Sequence, residues 1–388
     1  MTLTNGIYFG IPFEEYDKIE RLSKTRIKQI MVSPADFWAE SWLNPTPKKL
    51  TPQQEKNQQI ARLLGRAYHC ARLEPHEWPL RFAREISQAD FADVEGFLGT
   101  GAAIEAELVK AELPKKVTGE PGVLGQARRL KAAGYEGPIW HIIEAEWKAQ
   151  LGDREAIPAE SYDQIVIDMD RLAMVPDVHA ALSNGYAEVT ILYDCPDTGL
   201  PMKARLDYLR TDGWAEFKSF SNPSRKPLEQ CILDAIRFNL YYIDVAAYHE
   251  AIEQVRQGIV TIQGDHDQAQ ADLVDEIALQ FRPLPHKLIF QQKGGVPNIV
   301  SRDLRLFDVH MSAKVNAAGL SDEAKAKSEE SMTRATMLLA KARAQIRRAK
   351  KTFIGYSEIY ERGQPWVPFD THAEYGDDDF NQNWLETL

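Results

Sequence analysis

The stretch ARLDYLRTDGWAEFKSF, residues 204–220, decides the fold. Apolar and charged residues alternate on both sides of Asp212-Gly213, the pattern of two antiparallel strands joined by a tight turn. The alternation sets Asp207, Glu216 and Lys218 on one side of the ribbon, and Leu206, Tyr208, Ala215 and Phe217 on the other. With Asp212-Gly213 as a two-residue loop, Thr211 pairs with Trp214, Leu209 with Glu216 and Asp207 with Lys218. Working outward, YAEVTILYDCPDTGLPMK (186–203) supplies a third strand. A four-residue loop at 196–199 pairs Cys195 with Leu200 and carries Glu188 opposite Asp207. One face of the meander then holds Glu188, Asp207, Glu216 and Lys218. The other, with Val189, Ile191, Tyr193, Met202 and Ala204, is a core face.

Three carboxylates within roughly 5–8 Å of one another repel unless a cation lies among them. Hard oxygen donors at that density suit Mg²⁺ or Mn²⁺. Lys218, on the same face, can reach a phosphate oxygen. A metal that polarises phosphorus and acidifies water, beside an ammonium that offsets transition-state charge, is what phosphodiester hydrolysis requires. The competing reading is a solvated ion-pair ladder, with Lys203 and Arg205 on the same strand offsetting part of the negative charge.

The whole chain sets bounds on these readings. Its 388 residues, 44% hydrophobic and 27% charged, are enough for one large globular domain with insertions, or two domains. No run approaches the roughly 18 apolar residues of a membrane helix, and MTLTNGIYFG at the N-terminus lacks a signal-peptide plan, so a cytoplasmic protein is expected. Cys70, Cys195 and Cys231 are too few and too scattered for a disulfide framework or a CxxC metal site. A net charge of −11 excludes a generic nucleic-acid coat but not a local basic channel. Basic clusters lie at 24–28, at Arg225-Lys226 and in KARAQIRRAKK (341–351), where a solvated helix face is the plain alternative. There is no GxxxxGK or GxGxxG, which argues against an ATP-driven motor.

Helical spacing dominates residues 1–84, with Ser23 as an N-cap, and returns in short pieces over 85–180, in 228–255 and in 321–360. HKLIFQQ (286–292) and LRLFDVHM (304–311) read as two further strands around KGGVPN. HAEYGDDDFNQNWLETL (372–388) reads as a loosely held acidic tail.

Asp207 followed by Glu216-Phe217-Lys218 resembles the D…(D/E)xK signature of the PD-(D/E)XK nuclease superfamily. GRAYHCARLEPHEW (65–78), LSKTRIKQIMVSPADFW (22–38) and the strand pair before Asp207 resemble segments of the RecE-type exonucleases, across roughly 6–84 and 183–310. The resemblance implies an αβββαβ core with a mixed sheet flanked by helices. It makes 1–310 one nuclease domain with helical insertions at about 85–180 and 256–280, followed by C-terminal helices and the tail over 311–388. It implies His69, Asp207, Glu216 and the Phe217 carbonyl as metal ligands, Lys218 at the scissile phosphate, and Glu188 in a supporting or second-metal role. Without the resemblance, His69 would read as an ordinary helix histidine. A QxxxY helix motif of the family falls, by gapless count, on Phe238 and Tyr242. Tyr242 can keep its place against DNA or the lysine, Phe238 cannot hydrogen-bond a phosphate, and Arg237 or Asn239 are the available substitutes. Arg225, Lys226 and Arg237 are the expected DNA contacts.

The expected activity is metal-dependent exonucleolytic hydrolysis from duplex DNA ends. The 5′ to 3′ polarity, the homo-oligomeric ring and a single-strand annealing partner come from the resemblance alone. Two alternatives stay open: a DNA-binding or assembly protein on the same fold that cleaves poorly, and a structure-specific endonuclease.

Overall fold

The computed structural model describes residues 3–116, 122–293, 296, 298–304 and 322–368, and within the last segment the side chains of 338 and 340–368. Its strands are β1 (Gly6–Tyr8), β2 (Phe82–Arg84), β3 (Glu155–Ile157), β4 (Tyr186–Asp194), β5 (Pro201–Arg210), β6 (Gly213–Phe220), β7 (His286–Gln292) and β8 (Ile299–Arg302). The chain divides into two compact units, one of Met1–Leu50 with Ala180–Leu388 and one of Thr51–His179. The division falls near residues 50 and 180; the sequence reading has helical insertions over about 85–180 and 256–280 and a boundary at 310.

The first unit is a mixed α/β structure around a six-stranded sheet in the order β1-β4-β5-β6-β7-β8. Every neighbouring pair is antiparallel except β6 and β7, which are parallel. A parallel return needs a long crossover. The helices Leu228–Phe238, Tyr241–Arg256 and Gln268–Ala278 supply it. The residues that alternate inward on β4 and β5, Val189, Ile191, Tyr193, Met202, Ala204 and Leu206, are buried in the main core as their spacing predicts. The Tyr241–Arg256 helix is buried almost all round, as a central helix must be. The helical span read over 228–255 is two helices, separated at Leu240, which adopts a left-handed conformation at φ +54°. The long helix Asp322–Ile359 places Ala342, Ile346, Ala349 and Tyr356 in this same core, and Phe37, Phe353 and Trp366 cluster beside them.

Two strand expectations need correction. The second strand of the late hairpin is β8, in antiparallel register with β7 (Leu288 to Arg302, Gln291 to Ile299). Of LRLFDVHM only Leu304 is described, outside any strand, and 305–311 lie outside the described residues, as does the acidic tail. In the central hairpin Arg210 pairs with Gly213 and Leu209 with Trp214, so the loop is Thr211-Asp212. The cause is tertiary. A Cβ on Gly213 would stand 2.9 Å from the Pro285 carbonyl oxygen, which accepts from the Trp214 N–H at 3.0 Å. Gly213 is therefore needed for close approach inside the strand, and Arg210 holds Asp212 at 2.7 Å in the turn. The shift moves each partner by two positions and so keeps every side chain on its face. Continuing the count sets Asp207 across from Glu216 rather than Lys218. The β4–β5 register agrees with the expected one, with Asp194 on Pro201 and Val189 on Leu206.

The second unit is helical, with β2 and β3 forming a short parallel pair. One cluster gathers Ala67, Cys70, Trp78, Phe82, Ile157 and Ile165. Another gathers Leu98, Ile104, Leu108, Ala127, Leu130 and Ile139. The helix Pro52–Leu73, opened by a Thr51/Gln54 capping box, carries His69.

Candidate functional site

The site builds up from the charged face of β4, β5 and β6. Asp207 is buried, and its Oδ2 accepts the Phe217 N–H at 2.7 Å. The β5–β6 pairing runs only from Arg210 to Tyr208, so the Asp207 carboxylate serves Phe217 where the ladder ends. Glu188 sits in β4 at φ +56°, a conformation that costs a non-glycine residue roughly 1–3 kcal/mol. Its neighbours Ala187 and Val189 keep their pairings with Tyr208 and Leu206. Arg205 forms an ion pair with Glu188 and donates to the Ile11 carbonyl at 2.6 Å. A carboxylate oxygen of Glu188 and one of Asp207 lie within 4.8 Å of each other.

Glu216 is 2% exposed. Its Oε1 is shared by two ammoniums, Lys218 at 2.7 Å and Lys24. Its Oε2 is buried without a hydrogen-bond partner among the described residues. Burial alone would raise this carboxyl, but the ammoniums of Lys218 and Lys24 together outweigh it and hold the group at about 2. Conversely, burial would lower Lys24 and Lys218, and the carboxylates, Glu216 foremost, override it and raise both.

A second carboxylate, Asp244, comes from the Tyr241–Arg256 helix and is also 2% exposed. It meets Lys28 at 2.6 Å, Lys218 at 3.3 Å and Lys24 at 3.8 Å. Tyr241 lies 4.7 Å beneath the Lys218 ammonium and Tyr248 lies 4.2 Å beneath that of Lys24. Burial lowers Lys28 despite its Asp244 partner. Three lysines and two tyrosines thus surround Glu216 and Asp244. Ser23 caps the Lys24–Val32 helix through the Arg26 N–H, and the four-residue spacing of Lys24 and Lys28 puts both on one helix face.

The residues singled out in the sequence fare differently. Asp207, Glu216 and Lys218 come together, with Glu188 beside Asp207. Tyr242 does not join them: it packs in the core, while Tyr241 takes the place beside Lys218. Phe238 ends one helix and is 75% exposed, so it shares no helix with Tyr242. The four-residue polar-to-tyrosine spacing that stands at the site is Asp244 to Tyr248. A lone acid in the apolar run YYIDVAAYH was the available signal. Arg225 and Lys226 lie in the loop after β6, Lys226 pairs with Asp234 at 2.9 Å, and Arg237 stacks near the Phe238 ring at the end of the Leu228–Phe238 helix. Lys203 does not offset the site carboxylates. Its buried ammonium donates to the carbonyls of Tyr16 and Ile19 at 2.8 and 2.9 Å, and burial lowers it to about 8.

Carboxylates are donors for a divalent ion, and Glu188 and Asp207, whose oxygens approach within 4.8 Å, could share one. The orphaned Glu216 Oε2 is a further oxygen in want of a cation or a water. Fold and site together define a mixed α/β protein with a buried carboxylate and lysine centre. No protein-family model matches the chain, and no curated protein matches it. Among the described residues no helix is long and apolar enough to cross a membrane.

Proposed function

We propose that this chain is a divalent-metal-dependent deoxyribonuclease of the RecE type, hydrolysing phosphodiester bonds inward from a duplex end. The observation that carries the reading is Glu216, a fully buried carboxylate with one oxygen gripped by Lys218 and Lys24 and the other without a hydrogen-bond partner among the described residues, beside Asp207. The succession of β4, β5, β6, helices and a parallel β7 agrees with the βββαβ part of the nuclease core. Asp207, Glu188 and Glu216 would hold Mg²⁺ or Mn²⁺, with the Phe217 carbonyl beside them; the resemblance to the RecE-type exonucleases adds His69 as a nitrogen donor. When bound, the metal supplies Lewis acidity toward a phosphate oxygen and toward water.

The chain's own groups do the rest. Lys218, kept protonated by Glu216 and Asp244, offers an N–H to a phosphate oxygen and offsets charge that grows in the transition state. Asp244 and Tyr241 fix the direction of that ammonium. Lys24 keeps Glu216 ionised, and Lys28, 22% exposed at its side chain, faces the approach of an anion.

The test is release of nucleotides from linear duplex DNA with Mg²⁺. Activity on linear and none on closed circular DNA is expected, with loss of at least a hundredfold in Lys218→Met and in Asp207→Asn. Retained activity in either variant refutes the site, and cleavage of circles refutes the requirement for an end.

A further inference from the structure

The C-terminal helix Asp322–Ile359 carries two opposite chemistries on its two sides. Ala342, Ile346, Ala349 and Tyr356 are buried, and so is Lys350, whose ammonium is held by Glu250 at 2.6 Å. Lys341, Arg347, Arg348 and Lys351 face outward. Residues 341–351 contain six cations and no carboxylate, in a chain whose net charge is −11. Arg347, Arg348 and Lys351 border one open groove with Ala344, Thr352 and Gly355. Among the described residues a Cβ at Gly355 would meet nothing within 4 Å, which leaves the floor beside the cations open to them.

Among the described residues these charges are poorly compensated. Arg347 reaches Asp197 only at 3.8 Å. Among the described residues, Arg348 and Lys351 have no ion-pair partner. Arg347 and Lys351 stand one helical turn apart, as do Arg348 and Lys351, and like charges at that spacing weaken a helix. An anion lying between them reverses the sign. The outward cations run from Lys341 to Lys351 along about 15 Å of helix, of which those bordering the groove take about 6 Å, and a row of that length fits the repeating charges of a polymer better than one small anion. Guanidinium forks match phosphate oxygens. Tyr356, the aromatic residue of the groove, is buried, so no platform is offered to an unpaired base and the fit is to a duplex backbone.

We propose that this groove is a second docking surface, gripping the phosphate backbone of duplex DNA apart from the carboxylate centre. The choice of polymer rests on the nuclease reading. The test is binding of the full chain to a fluorescent duplex of about 30 base pairs in EDTA, at 50–300 mM salt, so that no turnover is needed. The variant is Arg347→Ala/Arg348→Ala/Lys351→Ala. Its salt slope should fall by about 2 to 3, at about 0.9 per lost phosphate contact, with affinity at least tenfold weaker at 50 mM salt. The lysine-preserving Arg347→Lys/Arg348→Lys variant should keep most of the slope, which separates charge from folding. An unchanged slope and affinity in the alanine variant overturn the groove, whatever the hydrolytic activity. A reduced slope in a chain that hydrolyses no DNA sustains the groove and refutes the nuclease. Full DNA binding with lost affinity for phosphatidylserine vesicles overturns it in favour of a lipid surface.

Discussion

Glu216→Gln isolates the electrostatics of the centre. The wild-type carboxyl, held at about 2 in the folded chain against an ordinary 4.5, contributes about 3 kcal/mol of stability at neutral pH. Because the folded value is depressed, that contribution is complete above about pH 4.5, falls as pH drops toward 2, and is mostly gone by about pH 2.5. Glutamine keeps the shape and abolishes the charge. At pH 7 it leaves the Lys24 and Lys218 ammoniums buried against a neutral amide, with an expected cost of about 3–5 kcal/mol. Below pH 4.5 the wild type loses its advantage while the variant has none to lose at this position. Urea unfolding followed by tryptophan fluorescence, at steps from pH 7 to 2.5, should show the stability gap narrowing by about 3 kcal/mol. Carboxylates that share no lysine with Glu216 titrate alike in both proteins and cancel in the difference. A gap that stays constant, or widens on acidification, refutes the account of Glu216 as an ionised, doubly paired group.

Three further expectations concern neighbouring features. Glu188→Gly should be more stable than Glu188→Ala by about 1 kcal/mol in urea, because both lose the Arg205 pair and only glycine relaxes at φ +56°; alanine equal to or better than glycine sinks the strain argument. A double-mutant cycle of Lys350→Met and Glu250→Gln should give a coupling of more than about 1 kcal/mol, since their charged atoms meet at 2.6 Å with Lys350 buried; coupling near zero contradicts it. Saturating Mn²⁺ should raise the wild-type Tm by a few degrees, as a ligand at about 100 times Kd adds about 2.7 kcal/mol, and should leave Asp207→Asn unmoved; equal shifts in both exclude Asp207 as a ligand.

Parity made the charged face readable. Asp207, Glu216 and Lys218 share a side under either hairpin register, because the two registers differ by two residues and alternation has a period of two. The register itself was not readable, since Asp212-Gly213 is a strong turn signal locally and the Pro285 carbonyl that draws Gly213 into the strand lies 72 positions further along the chain. Asp244, Lys24 and Lys28 were missed as partners of β6 for the same reason. Their basic and acidic character was plain, but nothing within a window of one helix says that a residue near position 24 will meet one near 216. The gapless count to the QxxxY motif falls on Phe238 and Tyr242, whereas the left-handed Leu240 parts those two residues between helices and it is Tyr241 that lies beside Lys218. β7 pairs with Ile299–Arg302, the strand nearer the turn, and LRLFDVHM beyond Leu304 lies outside the described residues.

Asp207 holds two posts at once. Its carboxylate is an acceptor for the Phe217 amide at the point where the β5–β6 rungs run out, so it fastens the hairpin as well as facing the centre. Truncation to alanine strips both roles and unzips the ribbon next to Glu216, whereas asparagine keeps an oxygen for the amide and deletes only the charge. A dead alanine variant therefore says as much about architecture as about chemistry, and the asparagine counterpart is the cleaner probe of what this position does.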